Sequence, residues 1–432
     1  MTVWLTVLGI VVFVVGLTVS VAWHELGHMI PAKAFGVRVS HYFVGFGPTL
    51  FSRVRGGTEY GIKALPFGGF IRMAGMYPPV ASGRRPRFRW QASLEDEVRR
   101  LSAVEVEAAG VEHSFYRLSA PRKAVVMLGG PTMNLILAAV LTAVVYSGIG
   151  LYGEPSLTVG DVAPCVSKQA GAVDCDADDA VSSPAIDAGL RAGDRLRTWD
   201  GVELDSWSDF RVQLERTGSA TVAVGVARGD ADLDLSITPL FVNGLDVDGN
   251  PVSQALIGLT SELQRVKLPL ADVPGALVEQ IGGAVQAYAR LPVAVWQTAR
   301  DTATGQERDP ANAPISIIGI ARIQGDATAA TATSSSLDAW ADRWSSWLSI
   351  AAMLNLALWL FNLLPLLPLD GGHVAGAAIE GVRRTWARLR HRPRTGPIDL
   401  ARAIPLTYGV FGVLILMTVV LMWADLVNPV SL

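Results

Sequence analysis

At 432 residues the chain is long enough for two or three domains. Half of its residues are hydrophobic, more than a soluble protein of this size usually carries, which points to membrane segments. A formal net charge of −3 argues against a nucleic-acid-binding surface as its main business.

The first apolar run covers residues 3–23. It lacks a basic leader and a small-residue cleavage site, so it reads as a retained helix and not as a signal peptide. Residues 31–76 are Gly-rich and alternate apolar with polar residues, as in Val37-Arg38-Val39-Ser40-His41-Tyr42-Phe43. This pattern predicts short strands separated by Gly turns. Residues 1–76 therefore form a first unit, a helix followed by a β element. Residues 77–123 carry an arginine cluster (Arg84, Arg85, Arg87, Arg89) and then a charged helical stretch. They read as a solvated insertion, with attraction to anionic lipid as the weaker alternative.

A second apolar run covers 124–152. Residues 155–240 predict a compact α+β domain, with strands at 220–227 and 233–237 flanking the segment Ser183-Pro184-Ala185-Ile186-Asp187-Ala188-Gly189-Leu190-Arg191-Ala192-Gly193-Asp194. Residues 241–343 read as a connector. Within it, 270–303 has the period of an amphipathic helix suited to a membrane surface, and the Ala-, Thr- and Ser-rich 324–340 predicts a loop. The third apolar run, 344–369, extends into a third helical unit at 344–372; a polar stretch at 373–403 follows, and the last run, 404–423, lies in a fourth unit at 404–426. The fold class expected is a polytopic α-helical membrane protein with about four transmembrane helices.

Lys and Arg give the orientation. Lys33 and Arg38 follow the first run, Arg117, Arg122 and Lys123 precede the second, Arg383 and Arg384 follow the third, and Arg392, Arg394 and Arg402 precede the fourth. The opposite ends carry only Lys168 and Arg343. Segments 31–123 and 370–403 are predicted cytoplasmic, with both termini and 153–343 outside. Cys165 and Cys175 fall in that outer segment. They can pair in an oxidising compartment or remain two thiols.

His24-Glu25-Leu26-Gly27-His28 carries the chemistry. Residues four apart share a helix face, so both imidazoles can hold one metal ion, and the intervening Glu is placed to take a proton from a water activated there. A chance match would be a helix end emerging into water. The motif closes an apolar helix, however, and ionisable residues at membrane depth are costly and usually functional. Catalytic zinc takes three protein ligands and keeps one position open. Asp370, at the cytoplasmic end of the third run, stands at the same level as the motif and qualifies as the third ligand. His373 is read as structural, because a fourth protein ligand would close the site. His41, His113 and His391 are assigned no role.

Asn362-Leu363-Leu364-Pro365-Leu366-Leu367-Pro368-Leu369-Asp370-Gly371-Gly372-His373 resembles the second motif of the site-2 protease family, and the His-Glu-x-x-His is the first. Gly45-Phe46-Gly47, Gly57-Thr58-Glu59-Tyr60 and Pro66-Phe67-Gly68-Gly69-Phe70 resemble the family's membrane re-entrant β element, and Gly130-Pro131-Thr132-Met133-Asn134 its second-helix motif. The segment around Gly189 and Gly193 resembles a PDZ domain of the bacterial protease type. The overall match is to the regulator-of-sigma-E protease branch in its actinobacterial form, with one PDZ-like domain where other members have two; the Pro-Leu-Leu-Pro-Leu-Asp spacing also departs slightly from the usual pattern.

The resemblance implies Zn2+ held by His24, His28 and Asp370, with Glu25 catalytic. It implies substrate contacts from Asn362, Asn134, Gly68, Gly69 and Phe70, against plain helix-capping or interhelical roles for the two asparagines. It also implies regulated intramembrane proteolysis of single-pass membrane proteins in a bacterial cell membrane, anti-sigma factors after a first cleavage being the expected substrates, in a stress response. Two alternatives stand beside it: a membrane-anchored zinc protease cutting exposed loops, and a non-catalytic PDZ-bearing membrane adaptor.

Overall fold

The computed structural model describes residues 2–79, 89–167, 175, 180–245, 251–306, 308, 313–330, 337–393 and 396–429. The apolar N-terminus forms one long helix, α1 (Thr2–Ala34), which runs well past residue 23. It stops where Gly36 takes a left-handed φ of 79°, a conformation open to glycine. Two long strands follow, β1 (Val39–Arg55) and β2 (Thr58–Met73), antiparallel and joined at Gly56-Gly57, where both φ values are positive. They replace the several short strands expected. The ladder is repeatedly bulged, and His41 faces both Glu59 and Arg72 while Phe43 faces both Gly61 and Phe70, so the ribbon curls back on itself.

Next come α2 (Arg89–Ala109) and α3 (Ala120–Ala143). Residues 80–88, which hold most of the arginine cluster, lie outside the described residues. Arg99 of α2 is ion-paired to Asp399 at 2.7 Å. A π-helical turn at Val144–Ile149 ends the second apolar helix. It stops short of residue 152, because Leu151 and Tyr152 already belong to a strand.

Residues Gly150–Lys267 form a compact unit of their own. This unit contains β3 (Leu151–Val162), β4 (Cys165–Ser167), β5 (Ala180–Ser182), α4 (Pro184–Asp187), β6 (Arg195–Trp199), β7 (Val202–Glu203), α5 (Trp207–Thr217), β8 (Val222–Arg228), β9 (Ala231–Ile237), β10 (Leu240–Leu245), β11 (Pro251–Leu256) and β12 (Leu259–Val266). Its main sheet runs β12-β3-β6-β8-β9, with β7 off β6. The unit therefore begins earlier and ends later than 155–240, since β3 and β12 pair along its edge. Alternate residues of β6 and β8 (Leu196, Val224, Val226) pack with Trp199 and Phe210 into a buried core. Trp199 also donates its indole N–H to Thr217 at 2.8 Å. Asp194, almost fully buried, receives Arg228 at 2.7 Å, and this guanidinium holds its carboxyl below the ordinary carboxylate range. Cys165 and Cys175 are joined in a disulfide.

The first unit resumes with α6 (Val273–Thr304), α7 (Ile317–Ala330), α8 (Leu337–Asn362), α9 (Asp370–Leu389) and α10 (Ile404–Val427). Helix α7 overturns the loop expected at 324–340, since 324–330 and 337–340 are helical. A small residue in this stretch instead lets α7 lie tight on α1: a Cβ on Gly325 would meet the Thr6 side chain at 2.8 Å, and one on Gly9 the backbone of Gln324 at 2.7 Å. The third apolar helix ends at Asn362, not at 372, because Pro365 and Pro368 supply no backbone N–H to continue it. Among the described residues, four helices are long and apolar enough to cross a membrane: Val3–Ala34, Ala120–Ile149, Trp340–Asn362 and Leu400–Val427.

Replacing Trp199 with Ala leaves a large cavity in the β-rich unit and should cost it about 3–5 kcal/mol. Hydrogen-exchange mass spectrometry of the full chain should show lost amide protection in β6 and β8 with α1 unchanged; protection retained in both strands would contradict this core assignment.

Candidate metal centre

Helix α1 is the hub of its unit. It touches α3, α7, α8 and the β1–β2 ribbon. Asn355 of α8 donates to the Ser20 hydroxyl at 2.8 Å inside the helix bundle, and the Trp23 indole donates to the Met133 carbonyl of α3 at 2.9 Å. Such bonds matter in a bundle whose outer surface is apolar, where helices attract through packing and interhelical polar contacts.

The closest approach is between α1 and α3. A Cβ on Gly27 would meet the Gly129 backbone, with the Met133 side chain 2.7 Å away. Gly130, one residue on, lies flat against the two imidazoles of the motif: an added Cβ would stand 2.7 Å from His24 Nε2 and closer still to His28 Nε2. Only bare backbone fits in this space.

The two imidazoles are edge-on to each other, with ring centroids 4.8 Å apart. Their Nε2 atoms are 3.1 Å apart. Asp370 reaches them from the first residue of α9, with Oδ2 3.2 Å from His24 Nε2 and 3.2 Å from His28 Nε2. Asp370 thus opens a separate helix, brought to the motif by the proline-containing turn after α8, and does not close the third apolar helix. These residues form a three-ligand cluster among the described residues.

The donor set fits zinc. A tetrahedral ion with bonds of about 2.0–2.1 Å holds its ligand atoms about 3.3–3.4 Å apart, close to the spacing found here. His28 donates Nδ1–H to the Val126 carbonyl at 2.8 Å, which leaves the Nε2 lone pair facing the cluster. Asp370 Oδ2 is buried and has no hydrogen-bond partner of its own, an orphan that a cation would satisfy.

The other residues singled out in the sequence fall at various distances from this cluster. Asn134, fully buried on α3, has its amide Nδ2 3.1 Å from His24 Nδ1. Gly69 lies over Glu25: a Cβ there would come within 3.2 Å of Glu25 Cγ and 2.8 Å of Val21. The backbone of Ile71, in the same strand, also runs beside Glu25. Gly68 packs on Phe46, and Phe70 stacks on Phe43 with centroids 5.6 Å apart. Asn362 is the last residue of α8, and its amide donates to the Leu358 carbonyl at 3.0 Å. The chain between it and Asp370 is not helical. His373 is half-buried, and its buried Nδ1 has no hydrogen-bond partner. The backbone wall formed by Gly27, Gly129 and Gly130, and the Tyr42 hydroxyl that ties β1 to the Ala22 carbonyl at 2.6 Å, were not legible as site elements in sequence.

The chain also matches known proteins. The family model described as peptidase family M50 matches residues 12–394. Zinc metalloprotease Rip1 of Mycobacterium tuberculosis (strain ATCC 35801 / TMC 107 / Erdman) is 30% identical, covering 99% of each chain. Zinc metalloprotease Rip1 of Mycolicibacterium smegmatis is 30% identical over 98% of each. A putative zinc metalloprotease of Mesorhizobium japonicum is 27% identical over 87% of this chain and 89% of its own. With the match running through both halves of the cluster, the chain belongs to peptidase family M50, the site-2 proteases, and is a zinc metalloendopeptidase of a multi-pass membrane protein architecture.

Proposed function

We propose that this protease hydrolyses peptide bonds in or near the transmembrane segments of single-pass membrane proteins, with His24, His28 and Asp370 holding zinc and Glu25 as the proton carrier. One observation carries the reading: Glu25 and the two imidazoles sit on a helix long and apolar enough to cross a bilayer, with a β ribbon folded over Glu25. A protease cutting exposed loops has no use for a site on such a helix. An adaptor has no use for a buried carboxylate oxygen facing two imidazoles.

Bound zinc supplies Lewis acidity and a water of pKa near 7. Glu25 takes the proton of the attacking water and returns it to the leaving nitrogen as the C–N bond breaks. Asn134 orients His24. For Nε2 to keep its lone pair, Nδ1 must carry the hydrogen, so the Asn134 amide turns its oxygen toward it; that oxygen otherwise has no partner.

A helical substrate must be unwound before its carbonyl is reachable. The 69–73 end of β2 pairs with β1 on one side, and Gly69 of this strand lies over Glu25. An extended peptide added along this edge would lie beside the reacting groups, with Gly68, Gly69 and Phe70 against it. In this reading β1 and β2 are the re-entrant element, tolerated at membrane depth because they line a wet cavity. The Gly150–Lys267 unit is the extracytoplasmic PDZ-like domain, acting on substrates trimmed by an earlier protease. Anti-sigma factors fit that description, and the family resemblance favours them. The asymmetry of Lys and Arg supports a bacterial cell membrane orientation with residues 370–403 inside.

Glu25→Gln should lower turnover of a membrane-embedded substrate by ~10²–10⁴-fold with zinc content unchanged. Cleavage at the wild-type rate would remove Glu25 from the mechanism. Gly130→Ala should speed the loss of zinc to a chelator by displacing the imidazoles, while the helical circular dichroism stays the same; unaltered zinc retention would count against the ligand assignment. Phe70→Ala strips a ring from the proposed docking edge and should slow turnover while zinc remains bound. Undiminished turnover would mean that the substrate does not use this strand.

A further inference from the structure

Helix α9 has two faces, and protein covers one of them. Gly376, Ala377, Glu380 and Ala387 are buried. Glu380 accepts Lys123 of α3 at 2.8 Å and Arg384 at 2.5 Å, and also takes the Ile398 backbone N–H. Ile379, Val382, Trp386 and Leu389 are instead 55%, 69%, 55% and 72% exposed. At about 100° per residue these four span an arc of about 80°, centred well away from the buried face. A contiguous apolar stripe of this kind is not the ordinary scatter of surface hydrophobics.

The charges beside the stripe complete the pattern. Arg383 and Arg390 flank one border of it, and the Arg390 guanidinium sits over the Trp386 ring, 4.3 Å from the centroid. Exposed Arg388 lies on the far side of the helix, where it points away from whatever the stripe meets. A Trp–Arg pair bordering an apolar stripe is the arrangement that seats a helix at a membrane–water interface, ring in the apolar layer and guanidinium at the phosphates. The helix is also placed for it: α9 starts eight residues after α8 leaves the membrane-spanning series at Asn362, and α10 starts another span soon after it ends.

We propose that α9 lies in the surface of an anionic lipid leaflet, with Ile379, Val382, Trp386 and Leu389 at the headgroup–acyl boundary and Arg383 and Arg390 on lipid phosphates. Lipid is the occupant favoured over a second copy of the chain, because flanking spans hold the helix at the bilayer and its border charges are all positive. Asp370 is the first residue of the same helix, so the leaflet steadies the element that delivers one side of the metal centre.

The test is a depth measurement on the full chain. The native cysteines are paired to each other, so a cysteine introduced at one position carries a spin label alone. Val382→Cys, Ile379→Cys and Arg388→Cys are labelled and reconstituted into phosphatidylcholine vesicles with and without phosphatidylglycerol. Collision with oxygen is then compared with collision with a water-soluble nickel complex. Labels at 379 and 382 should favour oxygen several-fold more than the label at 388. Phosphatidylglycerol should increase that contrast, and the double variant Arg383→Gln, Arg390→Gln should abolish the increase. Equal nickel access at all three positions, or a contrast indifferent to phosphatidylglycerol, overturns the proposal. Strong dipolar coupling between labels at 382 would show a second copy on the stripe, and overturns it too.

Discussion

The structure turns on the meeting of two imidazoles and one carboxylate from separate helices, with their ligand atoms 3.1–3.2 Å apart. Bringing three electron-rich groups together away from bulk water is unfavourable unless a cation compensates them. The rest of the membrane unit can be read as what holds them in place. The i, i+4 spacing on α1 sets the two imidazoles, and Val126 of α3 fixes the tautomer of one of them. The proline-containing turn after α8 ends one helix and starts another, so that a carboxylate at the start of α9 faces α1.

Close packing is the second constraint. Gly27 against Gly129 lets the backbones of α1 and α3 touch, and Gly130 lets the α3 backbone rest on the imidazoles. In a lipid environment, helix pairs gain from such intimate van der Waals contact and from short polar bridges such as Asn355 to Ser20. Away from this cluster, buried ion pairs pin the polar ends: Arg308 to Asp425 at 2.7 Å and Lys123 to Glu380 at 2.8 Å. Each would be strongly destabilising to break by removing one partner, because the other charge would remain buried.

The local features of the site were legible in the sequence and the long-range ones only in part. His24, Glu25 and His28 announce themselves, since a fixed spacing on one helix determines their geometry. The level of Asp370 along the apolar run points to it, and its carboxylate stands beside both imidazoles, but it opens a helix of its own and does not close the third apolar run. Two prolines separate α8 from α9, and hydropathy registers only an unbroken apolar run. Helix α7 escapes a sequence reading because Gly, Asp, Ala and Thr at 325–330 look like a loop until α1 is laid against them; its stability is tertiary and not intrinsic. The glycine contacts could not be read at all, since the sequence does not say which backbone a bare Cα will meet.

The central claim is that one zinc ion sits between α1 and α9. An anomalous-difference map at the zinc edge from crystals of the full chain tests it most directly. The account requires a single peak about 2.0–2.2 Å from His24 Nε2, His28 Nε2 and an oxygen of Asp370. A peak ligated elsewhere, or one that excludes Asp370, would contradict it.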